Sequence, residues 1–182
     1  MKFIITNIPD VILIETKVYN DERGIFLETY REAQFKAAGI NAVFVQDNQS
    51  KSKQGILRGL HCQIKQSQGK LVRVILGEIF DVAVDLRRSS LTFGTWVGTY
   101  LTAENKRQLW IPPGFAHGFY ALSEWAEVLY KASDYYAPQY ERTLLWNDPT
   151  INIKWPLIDK KPPILSIKDA NGLLLNDADW FD

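Results

Sequence analysis

Two side chains in this sequence, His61 and His117, have an ordinary pKa close enough to neutrality to take up and return a proton unaided. Each lies in a strand-like run: His61 in Leu57-Arg58-Gly59-Leu60-His61-Cys62-Gln63, and His117 in Gly114-Phe115-Ala116-His117-Gly118-Phe119. A polar stretch, Gln46-Asp47-Asn48-Gln49-Ser50, precedes the first of them. Strict alternation along a strand puts Arg58 and His61 on opposite faces, but a bulge at the intervening Gly59 would bring them to one side. Two histidines are too few for a three-imidazole metal centre within one chain. Lys70, between Gly69 and the apolar Leu71-Val72, has two readings. It either snorkels to the surface, or points inward and needs an anionic or oxyanionic partner, because an unpaired buried ammonium is costly. Tyr130 likewise reads as core packing with a bonded hydroxyl or as a proton donor, and Cys62 as a small buried side chain without a neighbouring base.

These candidates need a rigid frame, and the composition says which kind. The chain has 182 residues, 46% hydrophobic, long enough for one core without metals or disulfides. Its 21 basic and 21 acidic side chains leave no net field for drawing in nucleic acid or an anionic membrane, although a local cationic pocket for one small anion remains open. A single cysteine and no recognisable signal peptide predict a cytoplasmic protein. No run of 18 uncharged apolar residues is present to span a bilayer.

Short runs rich in Val, Ile, Thr and aromatic residues, divided by turn residues, predict an all-β sandwich or barrel. The expected strands are 3–6, 11–18, 24–30, 42–48, 56–64, 70–76, 78–86, 95–101, 108–111, 117–122 and 127–135. One helix is expected at 31–38, closed by Gly39. After Pro138 the Asn, Asp, Pro and Lys clusters predict turns and short helices laid over the barrel rather than a second domain. The run from Glu78 to Leu86 has two faces. Ile79, Asp81, Ala83 and Asp85 share one, and Phe80, Val82, Val84 and Leu86 the other, so the first carries carboxylates into solvent or into a polar cavity.

Taken together, Asp21-Glu22-Arg23-Gly24, Gln46-Asp47-Asn48, Leu57-Arg58-Gly59-Leu60-His61, Gly69-Lys70-Leu71-Val72-Arg73-Val74, Phe80 to Arg87, Ile111 to Phe119 and Leu165-Ser166-Ile167-Lys168-Asp169 resemble the dTDP-4-dehydrorhamnose 3,5-epimerases over nearly the whole chain. The resemblance implies one epimerase domain over 1–182, an all-β cupin-type jelly-roll barrel at about 40–136 with a cover at 137–182, and no metal or other cofactor. It implies epimerisation on both sides of the ketone of a nucleotide-linked 4-keto-6-deoxy sugar, with a single-carbon epimerase, a ketoisomerase or a non-catalytic nucleotide-sugar binding module as the alternatives. His61 is then the base, Asp169 its orienting carboxylate, Tyr130 the acid on the opposite face and Lys70 the enolate's cation. Substrate contacts fall to Arg23, Phe26, Glu28, Gln46, Asp47, Asn48, Arg58, His117, Phe119, Glu141 and Lys168, with Phe26 stacking on the thymine. The resemblance also implies a homodimer that exchanges N-terminal strands, drawn from 11–18 and 26–30. Cys62 and Gln49 depart from the family pattern outside the acid–base set.

Overall fold

The two-faced strand Glu78–Asp85 decides the layering, because both of its faces are buried. Ile79 and Ala83 meet Phe115 and Phe119 from the neighbouring strand and Val72, Leu109, Ile111 and Val128 from an opposing sheet. Phe80, Val82, Val84 and the following Leu86 instead pack under Leu144, Ile151, Leu175 and Trp180 of the C-terminal segment. The apolar face therefore lies beneath the cover, and the carboxylate face looks into the barrel. The two acids then part. Both are fully buried, but Asp81 meets only His117, at 2.7 Å, whereas Asp85 is tied to Arg87, Ser90 and Thr92 at 2.6–2.7 Å.

The computed structural model covers residues 1–182. Its strands are β1 Lys2–Ile5, β2 Ile12–Glu15, β3 Val18–Asp21, β4 Gly24–Leu27, β5 Gln46–Lys53, β6 Leu57–Gln63, β7 Lys70–Leu76, β8 Glu78–Asp85, β9 Trp96–Thr102, β10 Arg107–Ile111, β11 Phe115–Ala121, β12 Trp125–Ala132 and β13 Glu141–Thr143. The helices are α1 Glu32–Ala37 and α2 Ile167–Ala170. A six-stranded sheet in the order β1-β2-β10-β7-β12-β5 faces a five-stranded sheet in the order β13-β6-β11-β8-β9, and β3-β4 form a separate ribbon. The strand pairs are antiparallel, as a cupin-type jelly roll requires.

Several boundaries differ from the sequence reading for local reasons. The barrel sheet begins at Lys2 rather than near residue 40, because β2 pairs with both β1 and β10, with Ile14 fully buried. The run 11–18 is therefore no edge segment: its first part is an interior strand, and only Val18 enters the ribbon. The strand expected at 42–48 lies at Gln46–Lys53. Phe44 leaves the sheet to stack edge-on against Tyr30 and Trp110. The polar β5 is held instead by pairing along β12, with Gln46, Asn48, Ser50 and Ser52 on its less exposed face. Helix α1 closes as expected. Gly39, at φ 85°, lets its own N–H reach the Lys36 carbonyl and the Ile40 N–H reach the Phe35 carbonyl, while Ile40 packs beside Phe35.

Candidate active site

Between β6 and β11 the register runs from His61 opposite His117 to Arg58 opposite Phe119, so β6 carries one residue more than its partner. That extra residue is the expected bulge. Gly59 sits at φ +119°, and a Cβ on it would lie 2.5 Å from the Gly118 Cα, while a Cβ on Gly118 would lie 2.6 Å from the Arg58 carbonyl oxygen. Only two glycines permit this approach, and its effect is to put Arg58 and His61 on the same cavity wall. The cavity has a volume of about 330 Å³ and lies between the two sheets. Arg58, His61, His117 and Phe119 line it from the five-stranded sheet, and Lys70 and Tyr130 from the six-stranded one. Lys168 and Asp169 reach it from α2, and Glu141 from β13.

Both histidines are held by carboxylates. The His61 Nε2–H donates to the ionised Asp169 at 2.6 Å, and the His117 Nε2 shares a hydrogen bond with Asp81 at 2.7 Å. Asp169 belongs to a single helical turn whose cap, Ser166, accepts the Asp169 N–H at 3.1 Å. Burial pushes the Asp169 carboxyl upward, but bonds from His61 and Ser166 and the Lys168 charge outweigh it and hold the group below the usual carboxylate range. His61 therefore keeps an anionic partner, which fixes the orientation of its ring.

Lys70 resolves to the inward reading. It is 8% exposed, and burial pulls its ammonium down to about 8, opposed by the nearby Cys62 and Glu141. Tyr130 is pushed the other way. Burial raises its phenol, with Arg58 opposing, so it stays protonated near neutrality. Cys62 is an inert buried thiol, pushed by burial up to about 12. A cavity with a carboxylate-oriented imidazole, a protonated phenol and a buried cation can remove a proton beside a carbonyl, hold the resulting oxyanion and return a proton. No group of three or more His, Cys, Asp or Glu side chains converges to hold a metal ion.

Six expected contact residues lie off this cavity. Arg23 turns back on Asp21 at 2.6 Å, and Glu28 pairs with Arg31 at 2.6 Å. Phe26 is 70% exposed, and with Glu28 it lines a second cavity of about 490 Å³ that also includes Lys17 and Tyr19. Gln46, Asp47 and Asn48 lie on the edge strand β5. Asp47 pairs with Lys131 at 3.0 Å, while Gln46 donates to Asn48 and accepts the Tyr136 N–H. Ser50, Tyr136 and Ser166 line the cavity without having been expected there. The alternation of β5 placed Ser50 on the face of Gln46 and Asn48, and Tyr136 bonds Glu141 at the rim at 3.2 Å.

Fold and site together define a cupin-like barrel equipped for acid–base chemistry on a carbonyl compound. The sequence model described as dTDP-4-dehydrorhamnose 3,5-epimerase matches residues 5–177, and the chain belongs to that family. The dTDP-4-dehydrorhamnose 3,5-epimerase of Pseudomonas aeruginosa is 61% identical over 96% of each chain. A Legionella pneumophila 3,5-epimerase, solved in complex with dTDP-4-keto-L-rhamnose, superposes with TM-score 0.93 at 52% identity and covers 96% of this chain and 93% of that one. A 3'-monoepimerase of Streptomyces bikiniensis, in complex with dTDP-quinovose, superposes with TM-score 0.87 at 31% identity, covering 94% and 87%.

Proposed function

We propose that the protein converts dTDP-4-dehydro-6-deoxy-D-glucose to dTDP-4-dehydro-L-rhamnose by inverting C3 and C5, a step in dTDP-L-rhamnose biosynthesis, in the cytoplasm. The observation that carries the reading is the placement of the His61–Asp169 pair on one wall of the cavity and of Tyr130 and Lys70 on the facing sheet. The ketone makes the protons on its flanking carbons acidic. His61 removes one, Lys70 with help from Arg58 holds the enolate oxygen, and Tyr130 returns a proton to the opposite face. His117, Phe119, Glu141 and Lys168 contact the substrate, and Gln46, Asp47 and Asn48 extend that surface along β5. Incubation with substrate in deuterated water is expected to place deuterium at both carbons. Label at one carbon only supports the single-carbon alternative, and no label despite nucleotide binding supports a binding module.

The reading includes a homodimer in which Arg23, Phe26 and Glu28 serve the cavity of a second copy. These residues sit on and just after a ribbon that pairs only with itself and exposes Tyr19, Ile25 and Phe26. An apolar ribbon of this kind invites pairing between chains. Light scattering is expected to give a dimer, and Phe26→Ala to raise KM with kcat nearly unchanged. A monomer with full activity overturns this part.

A further inference from the structure

Asp81 is a fully buried carboxyl for which the proton transfers above have no use. Its Oδ1 lies 2.7 Å from the His117 Nε2, the two atoms sharing one proton, and its Oδ2 has no hydrogen-bond partner. Across the ladders it faces Thr99 on β9 and Phe119 on β11, neither of which brings a charge. Of the cavity's other charged groups, Lys168 pairs with Glu141 and Arg58 bonds Ser52, and His117 alone opposes the effect of burial on Asp81. Asp169 differs, since helix α2 surrounds it with the Ser166 cap and the Lys168 charge.

The proton count of each histidine–aspartate pair follows from this difference. With one proton between Nε2 and Oδ1, a pair is a net anion and offers a bare Nδ1 as acceptor. With a second proton on Nδ1 it is neutral and offers a donor. A net anion is costly where no other group solvates it, as at Asp81, and tolerable where helix and cation do, as at Asp169. Burial also lifts the Asp81 carboxyl, against the attraction of His117, in keeping with a pair that retains its second proton.

We propose that Asp81 is a positioning residue that keeps the His117–Asp81 pair neutral and His117 a hydrogen-bond donor, its Nδ1–H available to the oxygen that becomes negative in the reaction, while Asp169 keeps His61 as an acceptor. The identity of that oxygen rests on the epimerase reading; the protonation state does not. With two histidines in the chain, protein labelled with 15N-histidine gives two ring systems, which His61→Gln assigns. In the ligand-free protein near neutral pH, the expected result is a protonated Nδ1 on His117 and an unprotonated one on His61. An unprotonated Nδ1 on His117 overturns the proposal whatever the activity. In Asp81→Asn the carboxamide N–H can donate to Nε2 and leave Nδ1–H in place, so kcat is expected to stay within a few-fold of wild type. A loss of about 10²-fold, the scale of removing an oxyanion donor, in a folded Asp81→Asn protein that keeps Nδ1–H also overturns it.

Discussion

The two sheets that enclose the cavity are unlike in what they contribute. The five-stranded sheet brings the imidazoles, each backed by a buried carboxylate, and depends on the Gly59–Gly118 contact to aim them. The six-stranded sheet brings a phenol and an ammonium, Tyr130 and Lys70, and neither is paired with a carboxylate. Through His61 one wall accepts a proton, and through Tyr130 and Lys70 the other supplies one and holds the charge that develops. Inversion of a carbon needs this, because a proton that leaves from one face and returns to the same face changes nothing.

Removing the accepting wall should cost most. His61→Ala is expected to lower kcat by about 10³-fold or more and to abolish deuterium exchange at both carbons, while nucleotide affinity, measured by calorimetry, stays near wild type. Unchanged exchange would mean that another group removes the proton.

Removing the supplying wall should separate two events that the intact enzyme couples. In Tyr130→Phe the base is untouched, so abstraction continues and the enolate takes its proton back on the original face. Epimerised product is expected to fall about 10²-fold, with washout of substrate deuterium falling much less. Equal loss of washout and inversion would contradict the division between the sheets.

Lys70 tests the same division through stability. Its pKa lies below the ordinary lysine value of 10.5, at about 8, so the native state binds fewer protons than the unfolded chain between those values. The burial penalty is thus present in full below pH 8 and disappears as pH rises through 10.5, where the amine is neutral in both states. At pH 7 it amounts to roughly 3 kcal/mol at most. Lys70→Met is expected to raise the melting temperature at pH 7 by several degrees, with the gain over wild type shrinking as the pH approaches 10. The same variant is expected to lose about 10²-fold in kcat, and wild-type kcat/KM is expected to fall above pH 8 as the ammonium is lost. A variant that is less stable at pH 7 would show that Lys70 has a compensating partner.

The asymmetry between the sheets was only partly legible in the sequence. Apolar alternation in 78–86 identified the barrel strands, and the Asp81–Asp85 face was visible as a carboxylate stripe, but its inward direction depends on Leu175 and Trp180 covering the other face from far along the chain. Gly59 marked a bulge, whereas the matching demand on Gly118 arises only when the two strands meet. Lys70 and Tyr130 stayed ambiguous because burial is a tertiary property that spacing within one strand does not carry. The polar β5 was displaced in the sequence reading because its pairing with β12, rather than its own propensity, holds it in the sheet.

The rim, where neither sheet dominates, should respond least. Lys168 pairs with Glu141 at 2.9 Å with the lysine about half exposed, so the ion pair itself adds less than about 1 kcal/mol to folding. Lys168→Met is therefore expected to leave the melting temperature within a degree or two and kcat nearly unchanged. KM should rise a few-fold through the lost cation beside a diphosphate-bearing substrate, and the rise should shrink as added salt screens the wild-type attraction. A large drop in kcat instead would tie Lys168 to Asp169, its neighbour on α2, and so to the accepting wall, making the rim part of the proton-transfer machinery.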